Sequence, residues 1–174
     1  IVLSMHSGHL AVGSPYHRRD LNGDGNIIDA GGIWMYSLNV DSFWEPTQKI
    51  ISSKRSANQM FGHTIAIYGN QMVVGVPKTN TSVFGENNVP EVGAVWVYDF
   101  DGNWNETIIL RSGIEKANEH FGESVDIKDD LIIVGAPGSN TEENYQNSGL
   151  EGQTIELGSM YIFAKIDSVW RLLD

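Results

Sequence analysis

Apolar positions in this chain arrive in short bursts of five to eight residues, divided by clusters of Gly, Asn, Asp and Ser. The bursts are rich in Val, Ile, Tyr and Trp, the β-branched and aromatic types that suit a pleated surface. No stretch sustains the i, i+3, i+4, i+7 spacing of an amphipathic helix over about 15 residues. The pattern therefore predicts an all-β chain. In several bursts both phases are apolar: Ile33 and Met35 alternate with Trp34 and Tyr36, as Val95 and Val97 do with Trp96 and Tyr98. A sheet built from such strands has to be covered on both faces.

The bursts repeat. FGHTIAIYGNQMVVGVP, from Phe61 to Pro77, aligns with FGESVDIKDDLIIVGAP, from Phe121 to Pro137, at an offset of 60 residues. GAVWVY from Gly93 matches GSMYIF from Gly158 at an offset of 65, and Trp104 matches Trp170 at 66. LAVGSP, Leu10 to Pro15, and GGIWMY from Gly31 align with the second copy at an offset of 62. Three units follow, at residues 1–60, 61–120 and 121–174, the first lacking the Phe-Gly that opens the other two. Laying Val2 on Ser124 puts Ile1 on Glu123, so the chain reads as a section of a longer array.

Each unit predicts four strands, in the second copy at Phe61 to Tyr68, Gln71 to Val76, Ala94 to Phe100 and Trp104 to Arg111. Four-stranded sheets apolar on both sides are covered when like sheets stack radially, so the expected architecture is a β-propeller of antiparallel blades. Propellers typically close with about four to eight blades, and three would leave two apolar faces open. The three are expected to be part of a larger propeller.

The recurrent residues are Phe-Gly at 61 and 121, Val-Gly-Xaa-Pro starting at 12, 74 and 134, and the glycine-led aromatic strand at 31, 93 and 158. With these motifs the chain resembles the FG-GAP repeat family, whose blades resemble those of the integrin α head and of many secreted or surface proteins. The resemblance spans essentially the whole chain. It implies an extracellular or cell-surface propeller section serving adhesion or ligand binding. A scaffold subunit of a surface assembly or filament, and an accessory propeller of a larger enzyme, are the alternatives. Within the motifs, Gly13, Gly75 and Gly135 read as packing positions where a missing side chain admits another backbone, and Pro15, Pro77 and Pro137 as strand terminators.

The sharpest chemical motif is DLNGDGNIID, Asp20 to Asp29. Asp20, Asn22 and Asp24 stand at positions 1, 3 and 5, Gly25 at the turn, Asn26 offers a carbonyl at 7, and Asp29 an acid at 10. Calcium takes about six to eight oxygen ligands, and one tight loop with this spacing supplies most of them. Calcium is thus the expected cofactor. The acid sits one place later than in integrin-like repeats, and the loop follows the second strand rather than the first. Turn formation and solvation alone also favour Asp, Asn and Gly. Glu142, Glu143, Asn144 and Asn147 are weaker oxygen donors in the third copy.

The connections between second and third strands are long, 15, 15 and 20 residues, and emerge on the same face as the links between units. That face is the expected site for a protein or carbohydrate ligand; copies of the chain itself are the other candidate partner. His6 and His9 have a gap compatible with a metal pair but flank a turn, and Trp44, Trp104 and Trp170 recur at one blade position as packing residues. The histidines, serines and acids form no nucleophile, base and orienter set, so no catalytic residue and no enzyme activity is expected. Asn80 in NTS and Asn105 in NET are glycosylation sequons.

Charge narrows the partners. Eleven basic against 22 acidic residues give −11, which repels nucleic acid and anionic lipid. No apolar run approaches the roughly 20 residues of a spanning helix, so no direct membrane insertion is expected. Without cysteine there is no disulfide and no thiolate chemistry.

Overall fold

The computed structural model describes residues 1–80, 89–139 and 158–173. Twelve strands and no helix occur among them, in three four-stranded antiparallel sheets. The first contains β1 (Val2–His6), β2 (His9–Ser14), β3 (Gly32–Leu38) and β4 (Trp44–Ile50). The second contains β5 (Thr64–Tyr68), β6 (Gln71–Val76), β7 (Ala94–Phe100) and β8 (Trp104–Leu110). The third contains β9 (Ser124–Lys128), β10 (Leu131–Ala136), β11 (Ser159–Ile166) and β12 (Val169–Leu172). In each, strands lie in chain order, and the first strands β1, β5 and β9 sit side by side. The result is an open arc of three propeller blades, with β4, β8 and β12 outermost.

The doubly apolar strands explain the packing. Ile33 and Met35 of β3 face the second blade, where they meet Trp96, Tyr98, Met72 and Val74 in one core. Val95, Val97 and Val73, on the other side of the second blade, meet Tyr161, Phe163, Ile132 and Val134 in another. The middle blade is thereby covered on both faces. Each end blade keeps one face uncovered, with Leu3 and Met5 exposed on the first and Ile133 and Met160 on the third.

One local device recurs. Between β3 and β4 the register shifts at Met35/Tyr36, and between β7 and β8 it shifts at Val97/Tyr98. The extra residue is a threonine each time, and its hydroxyl donates to the opposite carbonyl, Thr47 to Met35 at 3.2 Å and Thr107 to Val97 at 3.1 Å. A bulge of this kind bends and twists an outer strand. Pro46, which lacks a ladder donor, is tolerated because β4 is an edge.

The second blade's first strand is shorter than its sequence pattern suggests. Phe61 makes only an isolated parallel bridge to Gly31 of the preceding blade, and the antiparallel ladder starts at Thr64. Phe-Gly is a joint between blades rather than the beginning of a strand. Gly62, with φ of 84°, turns the chain there.

Candidate functional site: the long-loop face

The links between blades and the long connections meet on one face, where their backbones pair. The amides of Asn58, Met60 and Phe61 donate to the carbonyls of Ile28, Asp29 and Ala30 at 2.7, 3.0 and 3.1 Å. One blade later Asn118, His120 and Phe121 repeat this on Pro90, Glu91 and Val92 at 2.8, 3.0 and 3.0 Å. Loops anchored so at their C-terminal ends are carried by the sheets rather than hanging from them.

In the first blade, residues 16–30 are also tied at their root. His17 N–H donates to the Ser14 carbonyl at 3.0 Å, and Gly31 N–H donates to the His17 carbonyl at 2.8 Å. The His17 ring stands edge-on to Trp34, with centroids 4.7 Å apart. Burial, aided by the charge of Lys49, holds His17 below the usual histidine pKa.

Asp20 shapes the turn that follows. Its Oδ1 accepts from the amides of Asn22 at 3.0 Å and Asp24 at 2.9 Å, while its own N–H donates to the Asp24 carbonyl at 3.1 Å. Gly25 adopts φ of 53° beside the Asp20 carboxylate; a Cβ there would come 3.1 Å from Oδ2. Three cations trim the outside of the loop. Lys49 donates to the Asp20 carbonyl, Arg55 to the Arg18 carbonyl, and Arg19 to the Gly23 carbonyl at 3.4 Å.

Asp29 has a different neighbourhood. Its carboxylate pairs with Arg18 at 3.6 Å, and its φ is 48°. Glu91 occupies the same place in the second blade, with φ of 47° and its carboxylate 2.7 Å from His120 Nε2 and 3.9 Å from Lys78 Nζ. The acid therefore recurs in a blade that lacks the 1, 3, 5 pattern, and in both blades its carbonyl accepts from the following link, from Met60 at Asp29 and from His120 at Glu91. Among the described residues no three acids or histidines gather into a metal-sized group, so Asp20, Asp24 and Asp29 do not converge as a triad. Asp20, Asn22, Asp24 and Asn26 stay together on one turn.

The loop also presents side chains that the oxygen pattern did not single out. Tyr16, Leu21 and Ile28 are all exposed on it. Their signal in the sequence is an apolar residue inside a run of turn formers, which is easily lost among the acids.

The remaining candidates fall into place as packing or surface groups. His6 Nδ1 accepts from Gly69 N–H at 2.8 Å and its ring stacks on Tyr68, while His9 lies against Phe100 and Trp104. They are spent on the joint between the first two blades and face different aromatics. Trp104 and Trp170 are buried, and Trp44, on the uncovered end, is 37% exposed. Asn80 is exposed, and its Oδ1 accepts from the Glu91 amide at 2.8 Å. Asn105 is exposed on β8, its amide donating to Asp101 at 2.7 Å and to the Asn103 carbonyl at 3.0 Å. Glu142, Glu143, Asn144 and Asn147 lie outside the described residues.

Compared with known proteins, residues 44–98 and 104–163 match the family model described as FG-GAP repeat. Each match begins at a fourth-strand tryptophan and ends in the third strand of the next blade, so it runs across a joint. No curated protein matches the chain.

Proposed function

The chain belongs to the FG-GAP repeat family, and from that premise we propose that it is an extracellular or cell-surface propeller section, non-enzymatic, that binds a protein or carbohydrate ligand on its long-loop face. The observation carrying this reading is the backbone pairing of residues 58–61 with 28–30 and of 118–121 with 90–92. It turns otherwise free loops into a platform, and binding residues commonly stand on loops held by a rigid scaffold. Exposed Tyr16 and Leu21 on that platform suit contact with a partner. No helix among the described residues is long and apolar enough to cross a membrane.

Calcium in the turn of Asp20, Asn22, Asp24 and Asn26 is part of the proposal. It is supported by the grouping of four oxygen-bearing side chains on one turn shaped by Gly23 and Gly25. Asp29 would join only by leaving Arg18. Added to chelated protein, millimolar calcium should raise the melting temperature, and Asp24→Ala should remove the rise; an unchanged melting curve rejects calcium. For the ligand, a glycan array with calcium present is the first probe. Saturable binding that disappears in a Tyr16→Ala/Leu21→Ala variant supports the platform, and binding indifferent to both substitutions overturns it.

The scaffold reading has its own support in the uncovered apolar faces of the two end blades. A polymer by light scattering, with no glycan retained, would favour it over ligand binding.

A further inference from the structure

Both joints between blades are built around a glycine that accepts a foreign backbone. At the first, Phe61 bridges Gly31 and the Gly62 carbonyl lies over Gly13, where a Cβ would overlap it. At the second, Phe121 bridges Gly93 and the Gly122 carbonyl lies over Gly75, while the Thr64 hydroxyl donates to that carbonyl at 3.3 Å. The phenylalanine side chain stays with its own blade, Phe61 against Trp96 and Tyr98 and Phe121 against Tyr161 and Phe163. The glycine is the part that enters the neighbour.

The third blade carries the same acceptor, uncovered. By the repeat, Gly135 stands where Gly13 and Gly75 do, Gly158 where Gly31 and Gly93 do, and Ser124 where Thr64 does. Among the described residues, a Cβ on Gly135 would meet Ser124 of its own blade and no backbone of a neighbouring blade. Gly135, Gly158, Ser124, Ser159 and Met160 line an open cleft of about 450 Å³. Met160 is 65% exposed, whereas its counterpart Val95, covered by the third blade, is 0% exposed.

We propose that this cleft is a socket for an aromatic-glycine segment, the Phe-Gly lead-in of a further FG-GAP blade. The occupant follows from the two filled sockets, which hold that dipeptide in the same backbone arrangement. Phe61-Gly62 and Phe121-Gly122 are already seated, and Phe84-Gly85 lies outside the described residues.

The test adds a peptide spanning Lys116 to Asp126, which contains the Phe-Gly of the second joint, to the isotope-labelled 174-residue chain and follows amide shifts by NMR. Saturable shifts centred on Gly135, Ser124 and Ser159 are expected. They should vanish when the peptide glycine is replaced by alanine, because the Cβ would strike the socket. They should also vanish in the Gly135→Ala chain, whose own fold is retained because only the Ser124 hydroxyl must turn aside. Met160→Lys, at an exposed position, is a second variant expected to weaken binding at least tenfold without changing the melting temperature. No shift at millimolar peptide, or equal shifts with Gly135→Ala, overturns the proposal.

Discussion

Gln48 and Trp104 exchange two hydrogen bonds across the joint between the first and second blades. The Gln48 amide donates to the Trp104 carbonyl at 3.0 Å, and its Oε1 accepts from the Trp104 N–H at 2.8 Å. The backbone of edge strand β8 is thus satisfied by a side chain from the preceding blade. Ile108 takes the place of Gln48 at the second joint and faces a cleft shared with Val169 and Trp170. The amide clamp of the first joint is thus not repeated at the second, where Lys165 pairs with Asp99 at 3.9 Å beside the same cleft.

Removing the clamp should be measurable. Gln48→Ala leaves a partly buried donor and acceptor without their partner, which costs about 1–3 kcal/mol. Gln48→Glu should cost more, since a carboxylate has no hydrogen to give the Trp104 carbonyl. Urea unfolding midpoints would order the two; equal midpoints for all three proteins would refute the clamp.

Gly75 and Gly135 are equivalent in the repeat but should respond differently to alanine. At Gly75 the new methyl overlaps the Gly122 backbone, so Gly75→Ala should destabilise by roughly 1–3 kcal/mol through forced separation of the blades. At Gly135 it meets only a serine hydroxyl, and the loss should stay below about 1 kcal/mol. Thermal melts of the two variants would show the contrast, and equal losses would contradict it.

Tyr98 is buried in the first joint, and its hydroxyl has no hydrogen-bond partner among the described residues. Burial, with Glu106 nearby, pushes its pKa far up and keeps it neutral. The third blade has Phe163 at this place. Tyr98→Phe should therefore raise stability by about 1 kcal/mol, because an unpaired buried hydroxyl is costly. A drop in the urea midpoint would show that the hydroxyl is satisfied.

His9 links the joint to pH. Wedged against Phe100 and Trp104, it has its pKa lowered by burial. The unfolded chain takes up the proton first, so this stability is fully present above the unfolded histidine pKa of about 6.5 and is lost as pH falls through the lower folded value. Stability measured between neutral and mildly acidic pH should decline less steeply in His9→Gln than in the parent. Parallel curves would remove His9 from the account.

Much of the architecture was legible along the chain because the physics behind it is local. Alternation within β3 and β7 marked two apolar faces, Pro15 and Pro77 marked strand ends, and the turns at Gly69 and Asp129 were too short to hold anything else. Asp20 to Gly25 reads as a turn for the same reason, since the bonds from the Asn22 and Asp24 amides to the Asp20 carboxylate span no more than four residues.

The joints are another matter. Phe61 looks like the first residue of a strand, and only the packed blades show it bridging Gly31 and leaving the ladder to start at Thr64. Asp29 looks like the closing acid of a loop, and only the packed structure shows its carboxylate beside Arg18 and its carbonyl accepting from Met60 of the link to the second blade. Residues separated by 30 to 60 positions meet there, as Gln48 does with Trp104. Periodicity and turn chemistry act over a few bonds and so are written in the order of residues. Which backbone lies over which glycine depends on how one sheet stacks on the next, and that is decided only when the blades close on each other.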